Sequence, residues 1–378
     1  MDFSLSEEQV LLKDSIDKFV RENNDAERHR KLSKSAQGFD PETWQLFADL
    51  GWLSVPFAEE QGGFGGSAAD VMVVCEALGK GLTREPFLST VITCGGFLRL
   101  AGSSAQQEHY IPKIIDGSEQ WAFAFAEDGS GYDMSAITTV AVQDADGYVL
   151  TGSKIAVLNG HCANHLVVTA RLNADDPESL SLFIVDTTAA GIRLESFAAV
   201  DSSKGAVIHF EGVRLSADQL LGTAGQSLAL IEQVIDESIV AMGGEALAAM
   251  QKLLDSTVEY TGIRQQFGQP IGKFQVLQHR MADMYLKVEE TRSLLFNAAI
   301  KLTEGNEDAA LACAALKVKL AEAGRYVSQQ AVQLHGAVGM TDELDVSHYY
   351  KRLLVLGMLY GDEKYYLQQY TKRQQSMA

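Results

Sequence analysis

The sequence predicts a three-domain protein: an all-α domain, then an antiparallel β domain, then a helical bundle. The chain has 378 residues, a length that allows two or three domains and a substantial core. Apolar residues recur every three or four positions in the first and last thirds, whereas they alternate with a period of two in the middle third. The predicted domains are 1–120, 121–222 and 223–378.

The N-terminal zone, from Leu5 to about Gly117, has the period of amphipathic helices. Ser6 predicts one helix start, and Asp40 followed by Pro41 predicts another, with proline at the first helical position. The run Gly63-Phe-Gly-Gly-Ser-Ala68 formally satisfies the dinucleotide-binding pattern GxGxxG/A, but no βαβ unit surrounds it. We therefore interpret this run as a tight turn between helices.

The middle zone contains short β-branched and aromatic runs separated by Gly, Asp and Asn turns. These runs are Thr138–Val142, Tyr148–Leu150, His165–Thr169, Ser181–Val185 and Ala206–Phe210. Close spacing without intervening helical patterns predicts an antiparallel sheet or a small barrel.

The C-terminal zone returns to long helical patterns joined by short turns. The predicted helices are Ser227–Gly262, Val276–Thr303, Asp308–Leu334 and Val346–Gln375. Four long amphipathic helices with short connections predict an antiparallel bundle.

The charge balance limits the classes of partner. The sequence has 31 Lys and Arg against 50 Asp and Glu, a formal net charge of −19. This balance argues against nucleic acid or an anionic membrane surface, because either would require a basic patch. We expect no membrane span, since no uncharged apolar stretch reaches the necessary 18 or so residues.

The N-terminus and the cysteines predict a cytoplasmic protein without a metal site. The start MDFSLSEEQ is acidic where a signal peptide is basic. Cysteines 75, 94, 162 and 313 lie far apart, with no zinc-like spacing. We expect them to be small buried residues in a reducing compartment rather than disulfides or metal ligands.

The segment from Arg264 to Gln275 (RQQFGQPIGKFQ) is a candidate anion site. An Arg at a helix end can pair bidentately with a phosphate, and the following Gly/Pro-rich turn and helix N-terminus offer backbone amides. An ordinary helix–helix turn is the alternative interpretation.

Several spaced segments resemble the FAD-dependent acyl-CoA dehydrogenases. They are LSEEQ near the N-terminus, Gly51–Gly66, Ile111–Lys113, Trp121–Asp133, Arg264–Met284 and Gln333–Met340. The resemblance covers nearly the whole chain and implies the α–β–α fold of that family. It also implies FAD as cofactor, an acyl-CoA substrate, electron-transfer flavoprotein as acceptor, and a homotetramer or heterotetramer.

The resemblance also assigns residues. In the family, certain residues bind the ADP half of the FAD of a neighbouring subunit. The residues that match them here are Arg264, Phe267, Gln275, Gln333 and Gly336. Near the flavin the chain departs from the family pattern. Ala126 replaces a Thr, Ala156 replaces a Trp that stacks on the flavin, and Leu158 replaces another Thr. Ala126 and Leu158 remain the candidate flavin-contacting positions.

The position of the catalytic base also differs from the usual family pattern. Many family members carry a Glu after a Tyr in the last loop, where this chain has Gly361. A branch of the family carries its Glu on the first long helix of the bundle, and Glu237 matches that position. Glu237 is the candidate base, with Asp362 in reserve. The Gly243-Gly244 pair that follows predicts close approach of the flavin or of another backbone, and a face with room for the acyl chain.

These features resemble the small-subunit type of the family, such as pimeloyl-CoA or steroid-side-chain dehydrogenase subunits. The implied activity is α,β-dehydrogenation of an acyl-CoA to a trans-2-enoyl-CoA, in fatty acid or steroid side-chain degradation. A non-catalytic partner subunit of a heteromeric dehydrogenase is the alternative, followed by an acyl-CoA oxidase or another flavoenzyme of the same fold.

Overall fold

The computed structural model describes residues 5–24, 26–173, 176 and 179–376, and these pack into two compact units. The first unit comprises the described parts of Met1–Lys31, Ser67–Thr83 and Ile239–Ala378. The second comprises Leu32–Gly66 and the described part of Arg84–Ser238. Residues of the 1–120 segment therefore contribute to both units, and the three-domain division stays a prediction from the sequence.

The N-terminal helices begin where the capping signals predict. Ser6 Oγ accepts a hydrogen bond from the Gln9 amide at 3.2 Å, and Asp40 Oδ1 accepts one from the Glu42 amide at 3.2 Å. A π-helix, Leu88–Cys94, leads directly into the fifth helix. The helices are α1 Glu7–Asn23, α2 Ala26–Lys34, α3 Pro41–Asp49, α4 Ala68–Gly79, α5 Gly95–Ala101 and α6 Ser104–Ile115.

The glycine-rich run before α4 is a turn, as predicted. The Gly65 amide donates to the Phe57 carbonyl at 2.7 Å, and the Gly66 amide donates to the Val55 carbonyl at 2.8 Å. A Cβ at Gly63 would lie 2.0 Å from the Phe57 carbonyl oxygen. Close approach of the chain to itself therefore requires glycine at position 63.

The middle of the chain forms a mixed, mainly antiparallel sheet. The strands are β1 Trp121–Ala124, β2 Val140–Gln143, β3 Tyr148–Leu158, β4 His165–Arg171, β5 Leu180–Asp186, β6 Ile192–Ala198, β7 Lys204–Leu215 and β8 Leu220–Leu221. Their order in the sheet is β6-β7-β3-β2-β4-β5-β8, and β1 pairs with β4 outside this path. The predicted β domain is confirmed and most of its strand pairs are antiparallel, but β1 runs parallel to β4, and β2 and β4 share a parallel bridge. The chain from β1 to β4 is long enough for the crossover that a parallel pair requires. Leu150, Val168, Phe183 and Phe210 lie in the core of this sheet.

The C-terminal helices confirm the helical prediction with one difference. They are α7 Leu228–Ile263, α8 Gln275–Glu304, α9 Ala309–His335, α10 Asp345–Met358 and α11 Glu363–Ser376. The fourth predicted helix, Val346–Gln375, is broken into α10 and α11. At the break Tyr360 has φ +61° and Gly361 has φ +140°. Residues in positive-φ conformations end a helix whether or not the apolar period continues.

No helix in the described ranges has an apolar stretch long enough to cross a membrane. Among the same residues, no cluster of three or more His, Cys, Asp or Glu side chains could hold a metal ion. All four cysteines are free thiols; Cys75, Cys94 and Cys313 are buried, and Cys162 is half-buried. Burial raises the pKa of Cys162 to about 12, which keeps this thiol protonated and unreactive at neutral pH.

Candidate cofactor and catalytic sites

A solvent-exposed hairpin connects α7 to α8. Its strands are β9 Gln265–Gln266 and β10 Gln269–Pro270, paired antiparallel. Phe267 and Gly268 form the tip with φ +55° and +81°, and the Phe267 side chain is 90% exposed. Arg264, at the base of the hairpin, is exposed, and its guanidinium makes no ion pair within the described residues. The hairpin thus presents a free cation and an aromatic ring to solvent.

The end of α9 lies beside this hairpin. The ring of Tyr260, near the end of α7, stacks on the ring of His335 with centroids 4.5 Å apart. Arg280 Nη1, near the start of α8, donates to Gln330 Oε1 on α9 at 3.3 Å. Three helix ends therefore meet at one end of the first unit. All five predicted ADP-binding residues are exposed there: Arg264, Phe267, Gln275, Gln333 and Gly336.

This group of residues fits the ADP part of FAD. The Arg264 guanidinium can pair with a phosphate. The first two amides of α8, those of Gln275 and Val276, precede the first hydrogen bond of that helix and favour negative charge. The amides of Gln275 and Gln333 can hydrogen-bond to adenosine. A Cβ at Gly336 would meet no heavy atom within 4 Å, so the space beside this exposed backbone is open. The C-terminal end of α9 disfavours anions, so a phosphate bound by these residues would be favoured near Arg264 rather than near Gly336.

The two candidate flavin positions lie on neighbouring segments of the second unit. The carbonyl of Ala126 accepts a hydrogen bond from the Ile155 amide of β3 at 2.8 Å, and Leu158 ends the same strand. Between them β3 is bulged, and Ala156 has φ +52° and is exposed. A left-handed conformation at a residue other than glycine is uncommon and costs free energy. Ala126 and Leu158 are half-buried, and their apolar side chains leave only backbone groups for hydrogen bonds.

A buried ion pair next to these positions was not found from the sequence. Lys154 has no exposed surface, and its Nζ donates to Glu127 Oε1 at 2.6 Å, Thr169 Oγ1 at 2.8 Å and the Phe125 carbonyl at 3.2 Å. The signal was available, because alternation along β3 places Lys154 on the same face as the buried Tyr148 and Leu150.

Glu237 lies on α7 in an ion pair with Arg99 of α5. Arg99 Nη2 lies 2.5 Å from Glu237 Oε2, and the two side chains are 29% and 22% exposed. Glu237 is therefore a partly buried, paired carboxylate rather than a fully solvated one. Arg99 was not predicted from the sequence, although it is the one cation in the apolar run from Val91 to Leu100.

The Gly243-Gly244 pair does not leave room for a substrate, which corrects the expectation of an open helix face. A Cβ at Gly244 would lie 2.7 Å from the Met72 carbonyl oxygen of α4, and one at Gly243 would lie 2.8 Å from Leu295 of α8. The glycines let neighbouring helices approach α7, and at Gly244 the neighbour is another backbone, as the second alternative predicted.

Asp362, the reserve base, caps α11. Its Oδ1 accepts a hydrogen bond from the Tyr365 amide at 2.8 Å. Below the same break lies Lys317 of α9, which is fully buried and donates to the Leu356 carbonyl. Burial lowers the pKa of Lys317 to about 7, although the negative charge of Asp362 opposes this shift. Asp362 is therefore already engaged by the helix terminus and by a buried amine.

Sequence profiles of one family match the chain along most of its length. The N-terminal domain of acyl-CoA dehydrogenases matches residues 6–118, the middle domain matches 122–213, and the C-terminal domain matches 225–374.

Individual relatives agree with these profiles. A probable acyl-CoA dehydrogenase of Bacillus subtilis is 28% identical over 353 residues, 92% of each chain. A chain of the ChsE4–ChsE5 complex of Mycobacterium tuberculosis superposes with TM-score 0.91 and 26% identity over all of both chains. A chain in a structure described as the electron transferring flavoprotein of Acidaminococcus fermentans gives TM-score 0.91 and 28% identity, covering 98% of this chain and 99% of that one.

Proposed function

Because the chain belongs to the acyl-CoA dehydrogenase family and is an FAD-dependent oxidoreductase of acyl-CoA thioesters, we propose that Glu237 is its catalytic base. The activity is assigned from the match of all three family domains in chain order. The observation that supports Glu237 is its place on α7: a half-buried carboxylate on a rigid helix, whereas the loop position is Gly361 and Asp362 caps α11.

In the proposed reaction Glu237 removes a proton from the acyl α-carbon, which the thioester carbonyl acidifies. FAD, when bound, accepts the hydride that leaves the β-carbon. A carbon–carbon double bond forms as both C–H bonds break, and the product is a trans-2-enoyl-CoA. Arg99 binds Glu237 Oε2 and leaves Oε1 as the oxygen that takes the proton. Within the described residues, Oε1 makes no hydrogen bond or ion pair.

We assign the ADP half of FAD to the exposed group Arg264, Phe267, Gln275, Gln333 and Gly336, and the flavin to the segments of Ala126 and Leu158. The exposed hairpin supports an ADP site shared between subunits, because the side chain of Phe267 is almost fully exposed within its own chain. Domain boundaries at 120/121 and 222/223 are part of the proposal and agree with the gaps between the matched family domains.

A site shared between subunits requires an oligomer, and we propose a tetramer, homomeric or heteromeric with a paralogous chain, with electron-transfer flavoprotein as acceptor. The names of two similar structures, a ChsE4–ChsE5 complex and an electron transferring flavoprotein, support these partners. The apolar residues exposed at the hairpin end support an interface: Ile263, Phe267, Val276 and Met340. Free buried thiols support a reducing, cytoplasmic location. A stable monomer that holds FAD stoichiometrically in sedimentation would contradict the shared site.

The visible spectrum of the full-length chain, purified alone and then mixed with a series of acyl-CoAs without oxygen, tests the function. We expect bound-flavin absorbance that bleaches with acyl-CoA and not with free CoA. The acyl chain that bleaches fastest identifies the substrate, with fatty acyl and steroid side-chain thioesters as the two classes to compare. A colourless chain that acquires flavin only with a paralogous partner would favour the non-catalytic alternative.

A further inference from the structure

One carboxylate closes the loop that follows Ala126. Glu127 stands at the start of this loop, and its Oε2 accepts hydrogen bonds from the amide and hydroxyl of Thr138, both at 2.6 Å. Its Oε1 accepts one from the Thr139 amide at 3.1 Å. The two ends of the loop, residues 128–137, are therefore joined through a single buried side chain.

The same carboxylate ties the loop to β3. Lys154 donates to Glu127 Oε1, and one residue later the Ile155 amide binds the Ala126 carbonyl. The bulge at Ala156 begins directly after Lys154. The pair therefore connects the two chain segments that carry Ala126 and Leu158.

The pKa values of both groups in this pair are shifted strongly from their ordinary values. Burial acts to raise the pKa of Glu127, but the Lys154 ammonium and the Thr138 and Thr139 hydrogen bonds hold it at about 2. Burial lowers the pKa of Lys154 to about 8, although Glu127 opposes that shift. Replacing such a pair by uncharged residues is often neutral for stability, because its desolvation offsets the attraction. A gain in stability is therefore a weak explanation for the presence of this pair. Its directional hydrogen bonds, by contrast, hold the loop in one position.

We propose that Glu127 and Lys154 are positioning residues for the flavin: together they hold the segment after Ala126 and the bulged end of β3 in the arrangement that binds the ring through backbone groups. The inference rests on the proposed function, because that function places the flavin at these segments. Ala126 and Leu158 offer no side-chain hydrogen bonds, so the placement of their backbone decides how well the ring is held.

The test is the double variant Glu127→Gln/Lys154→Met, which removes both charges and nearly keeps the volume. The full-length wild type and variant are compared by FAD titration, by the visible spectrum of bound flavin, and by hydrogen–deuterium exchange of residues 128–137 without FAD. We expect the dissociation constant of FAD to rise at least about tenfold, the spectrum to shift, and the loop amides to exchange faster. Lys317→Met is the matched control, since it removes another fully buried lysine outside these segments; we expect its FAD affinity to stay at the wild-type value.

A folded double variant that binds FAD within twofold of the wild type, with an unchanged spectrum, overturns the inference even if the loop exchanges faster. If the double variant does not fold, Thr138→Val removes one hydroxyl bond to Glu127 and should weaken FAD binding two- to fivefold; unchanged binding overturns the inference. A wild-type chain that takes up no FAD under any condition overturns the proposed function as well, so the two failures are distinguishable.

Discussion

The ring of Tyr260 stacks on the ring of His335, with centroids 4.5 Å apart and planes inclined by 25°. Tyr260 lies on α7, one helical turn before Arg264, and His335 lies directly before Gly336 at the end of α9. His335 is buried, and its Nδ1 lies 2.8 Å from the Ala331 carbonyl oxygen. The stack therefore fixes the spacing of two groups of proposed ADP-binding residues that are far apart in the sequence.

Arg264→Ala should weaken FAD binding without disturbing the fold. The side chain is exposed and makes no ion pair within the described residues, so its removal leaves no buried group unsatisfied. A charge-assisted hydrogen bond is worth about 1.5–3 kcal/mol, which predicts a roughly 10- to 100-fold higher dissociation constant for FAD. Titration of FAD measures this, with Arg325→Ala as control, an exposed arginine elsewhere on α9. Unchanged FAD retention would contradict the assignment of Arg264 to the ADP half of FAD.

Tyr260→Leu should also lower FAD affinity, although we do not expect this side chain to touch the cofactor. Leucine keeps the apolar contact but loses the ring stack, which is worth about 0.5–1.5 kcal/mol. We expect the free energy of unfolding to fall by about 1 kcal/mol and FAD binding to weaken several-fold. Denaturation and FAD titration of the same samples separate the two effects. A variant that loses this stability but binds FAD as tightly as the wild type would show that the stack does not position the site.

Glu237→Gln should stop flavin reduction and leave FAD binding intact. Glutamine keeps the shape but cannot accept the α-proton, and general-base catalysis typically contributes about 10²- to 10⁴-fold. Stopped-flow bleaching with acyl-CoA measures the rate, while acyl-CoA binding should persist. Glu232→Gln, an exposed glutamate earlier on α7, is the control. Reduction of the Glu237→Gln variant at the wild-type rate would direct attention to Asp362 or to a partner subunit.

Lys317→Met should change how stability depends on pH. Burial lowers the pKa of Lys317 to about 7, against about 10.4 for lysine in an unfolded chain. Between these values the unfolded state binds a proton that the native state does not, so stability due to this group rises with pH. Below pH 7 the native state must bury the charge, which costs free energy.

The variant lacks this dependence, so its stability relative to wild type should be highest near pH 6 and fall by roughly 4 kcal/mol toward pH 10. Chemical denaturation at several pH values measures the difference, with the exposed Lys252→Met as control. A difference between variant and wild type that stays constant with pH would show that Lys317 titrates normally.

The sequence by itself determined the element types, their order and most of their ends. Ser6 and Asp40 cap helices as predicted, and α9 begins and ends within one residue of its predicted limits. These features depend on groups close in sequence: a capping oxygen lies within three residues of its amide, and a helix or strand face repeats within a few positions. The resemblance of the segments around Arg264 and Gln333 to the family also depends only on residues close together in the sequence.

Only the tertiary structure decided which distant residues meet. Local periodicity says which side of an element is buried but not which element covers it. It therefore predicted neither Arg99 beside Glu237 nor the Glu127–Lys154 pair, nor α4 filling the space at Gly244. The free energy of such pairs depends on burial and on atomic distance, and both exist only once the segments have packed.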